Sequence, residues 1–516
     1  MTFADILDRT ALRYPHKTAL ICEEGKFTYS QLQRRVNSLA QSFAELGIGR
    51  GDRVAVLAHD CHWYVEMYLA AARLGFTLVP LNYRLVGREL LFILQDCVPV
   101  AMLVEDSFAS TIDALRPNLG SVRHYVGLGR VTDADLHYED LASKSAPTMA
   151  TVARDDDVLC ILYTSGTTGF PKGAMLTNRN QVANNMNVMP FFQFKTDDIN
   201  LVTTPLFHTA ALWPTLGMVY VGGRSVIRKT FDVKTTLRLF EQENVTFCHP
   251  VQAQVIMMLE DPDITSYDFS TLRCMNITLN LPLPAYRKAV RCFGNVIVPG
   301  YGLTEAAPMA TALTPEEARR WAEVLEKEPD QVPTYGCSGR ALPGVQVRAV
   351  DEAGDDVAPG QVGELLVKGD NVMKGYWNRP EVNAVVLRDG WLHTGDLVRF
   401  DAQGYMYFVD RKSGMIKTGG ENVYPKEVED VISTHPGVLA VAVFGVPHEK
   451  WGETVAAAIV RRPGATIDTD DVIDVCRRNL AGYKKPTLIE FVDELPRSLS
   501  GKVAKNVLRQ MYSERG

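Results

Sequence analysis

The run Tyr163-Thr164-Ser165-Gly166-Thr167-Thr168-Gly169-Phe170-Pro171-Lys172-Gly173 is dense in groups that bind phosphate. Its three inner and terminal glycines let the backbone approach a ligand closely and adopt positive φ. Hydroxyls and successive N–H groups can donate to phosphate oxygens, and Lys172 supplies positive charge. A Gly/Ser/Thr run is often no more than a polar loop. Here a buried-strand pattern precedes it and a lysine closes it, which favours the phosphate reading. The run lacks the Gly-Lys-Ser/Thr of a Walker loop opening a helix, which disfavours a P-loop kinase. The nine cysteines are scattered, with no CxxC pair and no Cys/His ligand spacing. Cys22, Cys61, Cys97 and the others are expected to be small buried or neutral residues in a reducing compartment.

This run resembles the phosphate loop of the adenylate-forming superfamily, which includes acyl-CoA synthetases, the adenylation domains of peptide synthetases and firefly luciferase. The resemblance extends from Phe27-Thr28-Tyr29-Ser30 to the lysine near the C-terminus, with several motifs in the family's order. It implies an acid–CoA ligase that uses ATP and Mg2+ to make an acyl-adenylate and then transfers the acyl group to coenzyme A. By this resemblance Thr164, Ser165, Gly166, Thr167, Thr168, Gly169 and Lys172 bind ATP. In Gly300-Tyr301-Gly302-Leu303-Thr304-Glu305 an aromatic ring can stack on adenine, Thr304 can donate to the α-phosphate, and Glu305 can hold Mg2+. The resemblance also places Thr164 at the metal. Asp396, in Trp391-Leu392-His393-Thr394-Gly395-Asp396, is assigned with Arg411 to the ribose hydroxyls, a common task for an acid in nucleotide folds. A structural Asx turn is the competing reading of Asp396. Pro496-Arg497-Ser498-Leu499-Ser500-Gly501-Lys502 resembles the catalytic-lysine loop, so Lys502 would neutralise charge as carboxylate attacks the α-phosphate.

His208, in Pro205-Leu206-Phe207-His208-Thr209-Ala210, would sit beside the acyl carboxylate and the pantetheine passage. Taken alone, such a histidine is more often a satisfied core or loop residue. Amino-acid-adenylating relatives carry an aspartate there to pair the substrate ammonium. A histidine cannot be that permanently negative partner, which weighs against an amino-acid substrate. Leu279-Asn280-Leu281-Pro282 departs from the small residues usual in relatives at the border of the acyl pocket. Leu279, Asn280 and Leu281 either line and shorten that pocket, since interiors pack tightly, or turn into the core. The expected acid is a short-to-medium fatty acid, with an aryl or arylpropenoic acid as the alternative. For CoA the resemblance points to Gly419 and Gly420 in a loop that enters the site when the small domain rotates. Lys484 could meet CoA phosphates, although lysines before a proline are ordinary. The hinge of that rotation falls at Lys412-Ser413-Gly414, with Ser413 at its centre and Gly414 easing the swivel.

These residues must be positioned by regular elements. Leu32, Val36, Leu39, Phe43 and Leu46 form one apolar stripe of an amphipathic helix. Val54–Leu57 then reads as a strand, followed by a helix over Tyr64–Leu74 and strands at Thr77–Val79 and Ala101–Val104. Val158–Leu162 continues the pattern. Such alternation implies a largely parallel sheet covered by helices. Short strands between Pro333 and Val409, set off by Gly, Pro and Asp, predict a β-rich subdomain. From Arg411 a helix–strand–strand–helix–strand order begins. The expected fold is therefore α/β: a large N-terminal adenylation domain over residues 1–410, made of parallel-rich α/β subdomains plus a β-rich one, and a small mobile α+β domain over 411–516. The 516 residues exceed one ordinary core.

Composition narrows the partners. The chain is 46% hydrophobic and 22% charged, as in a globular enzyme, and its net charge of −7 argues against a nucleic-acid binder. The start lacks a secretion signal and no uninterrupted apolar run spans a membrane, so a cytoplasmic protein is expected. Thr209 to Gly223, the most apolar window, is interrupted by Pro214 and Gly217. Two alternatives stay open: an enzyme that loads a carrier protein, and a nucleotide binder without catalysis. No carrier domain follows Lys502, against the first, and the presence of Lys172, Glu305, Asp396, Arg411 and Lys502 weighs against the second. A homodimer, and a lysine acetyltransferase acting on Lys502, are the remaining partners left open. Acetylation would remove the charge that Lys502 needs.

Overall fold

A computed structural model describes residues 1–129, 134–145, 149–164, 171–278, 281–327, 336–418, 421–497 and 503–513. Ser165 to Gly169, Leu279, Asn280, Gly419, Gly420 and Lys502 lie outside the described residues, as does the side chain of Ser413. The chain forms two compact units. One comprises Met1–Gly166, Phe170–Val347 and Val367–Leu392; the other contains Arg348–Leu366 and His393–Gly516. The expected division at Arg411 falls inside the second unit. The α/β class is as expected, with a large N-terminal part and a smaller C-terminal one.

The first unit is built on two sheets. In one, the strands Val158–Thr164, Thr77–Pro80, Arg53–Leu57, Ala101–Glu105 and His124–Leu128 run parallel in that order. Lys172–Thr177 is an antiparallel partner of Val158–Thr164 and carries the short strand Gly375–Tyr376 on its other side. In the other, Ile297–Gly302, Cys274–Ile277, Phe247–Cys248, Ile199–Val202, Arg224–Ile227 and Thr18–Cys22 are parallel neighbours. Antiparallel strands Met309–Ala312 and Gly25–Thr28 flank this second set. Continuous burial of Val54 to Leu57 and of Ala101 to Val104 fits strands covered on both faces.

The helices start where local chemistry satisfies their free N–H groups. Thr28 and Gln31 form a capping box at Tyr29–Glu45, and Thr177 and Asn180 do so at Asn178–Phe191. The stripe Leu32, Val36, Leu39 and Phe43 is wholly buried. The apolar window after His208 is one helix, Thr209–Val221, with Pro214 inside it and Gly222 closing it at φ +78°. Among the described residues no helix is long and apolar enough to cross a membrane.

In the second unit, the antiparallel register pairs Asp396 with Arg411 and Leu397 with Asp410. Beyond it, Val438–His448 and Gly452–Arg461 form a long antiparallel pair, joined in parallel by Leu488–Phe491. Alternation at period two sends the side chains of this pair to two cores. Val443, Val455, Ala457 and Ile459 meet Val428 and Ile432 of helix Pro425–Ser433 and Val472 of helix Thr469–Asn479. Phe444, Ala456 and Ala458 meet Leu508 and Tyr512 of helix Lys505–Ser513.

Candidate active site

In the first unit, Thr164 ends its strand opposite Lys172, and its hydroxyl donates to the Lys172 carbonyl at 3.4 Å. Gly173 follows because a Cβ there would stand 2.5 Å from a methyl of Ile161. Tyr163 is anchored by donating to Asp96 at 2.6 Å, and burial pushes its phenol well up from the usual value. The Lys172 ammonium lies 5.6 Å from the centre of the Tyr376 ring, within cation–π range.

The same Tyr376 donates its hydroxyl to Glu305 Oε1 at 2.6 Å. Glu305 sits in the short 3-10 turn Thr304–Ala306, directly after the strand carrying Gly300, Tyr301 and Gly302. Both glycines are dictated by close backbone approach. A Cβ on Gly300 would stand 3.1 Å from the Thr311 carbonyl oxygen, and one on Gly302 would stand 2.5 Å from that of Pro308. Tyr301 is buried. The turn is fastened by Asn371, whose buried amide donates to the carbonyls of Ala306 and Met309 at 2.8 and 3.1 Å. Met373 N–H adds a bond to the Glu305 carbonyl. Sequence reading missed both Tyr376 and Asn371. The 71-residue separation of Glu305 from Tyr376 leaves no local signal, although Gly375 at φ +137° before an aromatic pair marked a special backbone.

His208 is the N-cap of helix Thr209–Val221, with its ring 4.6 Å from that of Phe207. The loop before it is held from below. The buried Asp60 accepts from Leu206 N–H at 2.8 Å, and Tyr68 donates to the Leu206 carbonyl at 3.0 Å. Burial drives the Asp60 carboxyl well above the usual range. His249, also buried, accepts from Trp213 Nε1 at 3.2 Å, and desolvation lowers it to about 3, so its ring is neutral.

Leu281 is wholly buried in the apolar core with Ile277, Ala289, Phe293 and Ile297. Of the two readings left open for it, lining the acid pocket or turning into the core, this burial fits the second. Pro282 is the N-cap of helix Leu283–Phe293, so Leu281 stands immediately before that helix.

In the second unit, the Asp396 carboxylate is 1% exposed and pairs with Arg411 Nε at 2.6 Å across the ladder. Gly395 supplies the positive φ of +70° before it. Thr394 donates to the Leu365 carbonyl at 2.8 Å and accepts from Asp396 N–H at 3.0 Å, fixing the turn. Next along, Asp410 is buried and accepts from Arg411 N–H at 2.7 Å and from Lys426 N–H at 2.8 Å. It thereby serves the N-terminus of helix Pro425–Ser433 from outside that helix. Lys412–Gly414, with Ser413 at its middle, is a short 3-10 turn, and Lys412 pairs with Glu364 at 2.8 Å. Lys484 is engaged by both oxygens of Glu427, at 2.6 and 2.8 Å. A CoA phosphate would have to compete with that carboxylate.

A hard cation fits the donor chemistry at Glu305. One carboxylate oxygen is held by Tyr376, and Mg2+ favours a site of one or two carboxylates completed by phosphate oxygens and water.

The chain is similar to known proteins along nearly its whole length. Residues 7–377 match the AMP-binding enzyme family, and residues 427–502 match the AMP-binding enzyme C-terminal domain. The indoleacetate–CoA ligase of Aromatoleum aromaticum is 37% identical, over 100% of this chain and 99% of its own. A feruloyl-CoA synthase of an Amycolatopsis species is 39% identical, over 98% of each chain. Among solved structures, ATP-bound MatB from Rhodopseudomonas palustris superposes with a TM-score of 0.88 at 33% identity, covering 100% of both chains.

Proposed function

The chain belongs to the AMP-binding enzyme family and is an AMP-forming acid–thiol ligase, and from that premise we propose that its acid is an aromatic one. ATP and CoA are the family's co-substrates. The observation that carries the nucleotide half of this reading is the placement of Tyr376. It holds the Glu305 carboxylate by its hydroxyl and meets the Lys172 ammonium through its ring. A cation and a carboxylate sharing one rigid neighbour suit a triphosphate with its metal: Lys172 faces phosphate oxygens, and Glu305 would hold Mg2+ against them. Bound there, Mg2+ would offset the negative charge of the phosphates.

The chain's own groups then divide the reaction. Asp396, oriented by Arg411, accepts the ribose hydroxyls. Thr304 donates to the α-phosphate. Lys502 neutralises charge as the substrate carboxylate attacks that phosphorus and pyrophosphate leaves. In the second step the CoA thiol attacks the adenylate carbonyl and AMP departs, with Lys502 no longer needed. A swivel at Ser413 separates the steps, bringing Gly419 and Gly420 to the pantetheine passage. The family matches leave 378–426 between them, which brackets this hinge. His208 borders the acid as a group without fixed charge.

The aromatic acid is supported by two full-length relatives named for aromatic acids, at 37% and 39% identity, against 35% for a relative named for long-chain fatty acids. Burial of Leu281 also withdraws one reason for expecting a shortened pocket suited to small alkyl acids. CoA-dependent AMP release across arylacetic, arylpropenoic, benzoic and C4–C16 alkyl acids tests the proposal. The highest kcat/KM should fall on an aromatic acid; a maximum on an alkyl acid would overturn it in favour of the fatty-acid reading.

A further inference from the structure

The structure brings together four potential metal ligands that spacing along the chain does not announce. Cys22 ends the strand Thr18–Cys22, Glu24 lies in the turn leading to Gly25–Thr28, and Cys61 and His62 begin the helix His62–Leu74. One ligand atom from each lies within 4.8 Å of every other. His62 Nδ1 is 3.6 Å from Cys22 Sγ and 3.1 Å from Cys61 Sγ, and Cys61 Sγ is 2.5 Å from Glu24 Oε2. Cys61 can share a target with its neighbour His62 because it is the extended N-cap, at φ −160°, while His62 is the first helical residue.

We propose that Cys22, Glu24, Cys61 and His62 form a tetrahedral binding site for a zinc ion. Zinc takes thiolate, imidazole and carboxylate ligands at about 2.0–2.3 Å, so tetrahedral donor atoms stand roughly 3.3–3.8 Å apart. The two imidazole–sulfur separations fall near that edge length. Glu24, the most exposed ligand, needs to withdraw by about 1 Å to give an S–O edge in that range, within reach of a side chain at a turn. Two thiolates and a carboxylate against Zn2+ leave one negative charge, and Lys229 meets it by contacting the other Glu24 oxygen at 3.0 Å.

The surroundings of His62 supply a second, independent observation. A zinc-bound histidine characteristically donates its distal N–H to a carboxylate, which sets the tautomer and aims the ligating nitrogen. His62 Nε2 stands 3.3 Å from Glu139 Oε1. Arg35 lies equally close to Nε2, but its guanidinium is committed to Glu66 at 2.6 Å and to Glu139 at 2.8 Å, so it steadies the carboxylate. Phe27 stacks on the imidazole at 4.5 Å and fixes its plane. Filled, the site would staple the hairpin at the end of one sheet to the helix that follows strand Arg53–Leu57 of the other.

The test is metal content and metal-dependent spectroscopy on the full chain, prepared without chelator or affinity tag. About one zinc per chain is expected by elemental analysis. Replacement with Co2+ should give the near-ultraviolet thiolate-to-metal charge-transfer absorption, and added zinc should raise the thermal midpoint of stripped protein. Cys22→Ser and Cys61→Ser should abolish the charge-transfer absorption and the thermal shift. Glu139→Gln should weaken zinc affinity about 10–100-fold while keeping the absorption. Cys292→Ser, outside the cluster, should change none of these. Cys22 is only partly buried, so its variant remains informative if Cys61→Ser fails to fold. Absence of stoichiometric metal after zinc addition, a Cys22–Cys61 disulfide in place of metal, or undiminished binding in Cys22→Ser would overturn the proposal.

Discussion

The Glu305 turn and the Asp396–Arg411 ladder are both set by contacts beyond their own segments, but the two use different chemistry. Around Glu305 the fastening is chiefly neutral: a buried amide from Asn371, a phenol from Tyr376 and a backbone N–H from Met373. Around Asp396 it is ionic, with a buried carboxylate against a guanidinium that is half exposed. Neutral donors in a dry setting hold a backbone in one place with little sensitivity to salt. An ion pair with one partner in water is more easily exchanged for another ligand, since solvent already screens it. The first arrangement suits a cradle that keeps its shape through both half-reactions. The second suits residues beside the proposed hinge, where contacts would have to be remade.

The largest expected effect is at the ionic side. Asp396→Ala would remove the acceptor proposed for two ribose hydroxyls, and each hydrogen bond to a charged group contributes about 1.5–3 kcal/mol. ATP-dependent kcat/KM, read by ATP–pyrophosphate exchange, should fall on the order of 100-fold or more. Folding stability should change far less, because water can solvate the half-exposed Arg411. A fall of less than threefold would place the ribose elsewhere.

On the neutral side the balance should reverse. Asn371→Ala deletes a buried donor of two hydrogen bonds and strands two carbonyls, a loss of about 2 kcal/mol. That corresponds to roughly a 30-fold shift in the folding equilibrium, measurable as a lower urea midpoint and unchanged by salt. An equally strong salt dependence in Asn371→Ala and Asp396→Ala would erase the proposed distinction. Tyr376→Phe is gentler. It keeps the ring beside Lys172 and removes the bond to Glu305, so exchange activity should fall about tenfold with a higher Mg2+ requirement. An unchanged Mg2+ titration would separate Glu305 from the metal.

The contrast also explains what could be read from the sequence. Strand–helix alternation was legible because it is local: the stripe from Leu32 to Phe43 is one buried helix face, and Val54 to Leu57 is a strand. Glycines at 300 and 302 were legible as a motif, and the structure gives their cause in close backbone contacts. Tyr376 and Asn371 were not legible, because what they do is set by a partner some seventy residues earlier. Cys22 and Cys61 were passed over as scattered residues for the same reason. Their meeting depends on a hairpin folding against a helix N-terminus, and no ligand spacing encodes that. Leu281 shows the converse: the local motif left a pocket residue and a core residue both open, and tertiary packing buries the side chain in the core.

The smallest expected effect concerns whether ionic contacts in the second unit are exchanged in the reaction. Lys484 holds Glu427 with both carboxylate oxygens and is only one-fifth exposed, whereas its partner is more open to water. Such pairs contribute about 0–1 kcal/mol. If Lys484 stays with Glu427, Lys484→Ala should raise the KM for CoA by less than about threefold, and Glu427→Ala should have a similarly small effect. If CoA phosphates instead draw Lys484 away, the two substitutions should act oppositely. Lys484→Ala would then weaken CoA on the order of tenfold, while Glu427→Ala would strengthen it by freeing the ammonium. Repeating both measurements at high salt discriminates further, because a phosphate contact loses strength with screening and steric changes do not. Opposite signs for the two substitutions would show that the charge-held unit trades this pair for substrate, as the comparison with the neutral Glu305 cradle anticipates for contacts near a hinge.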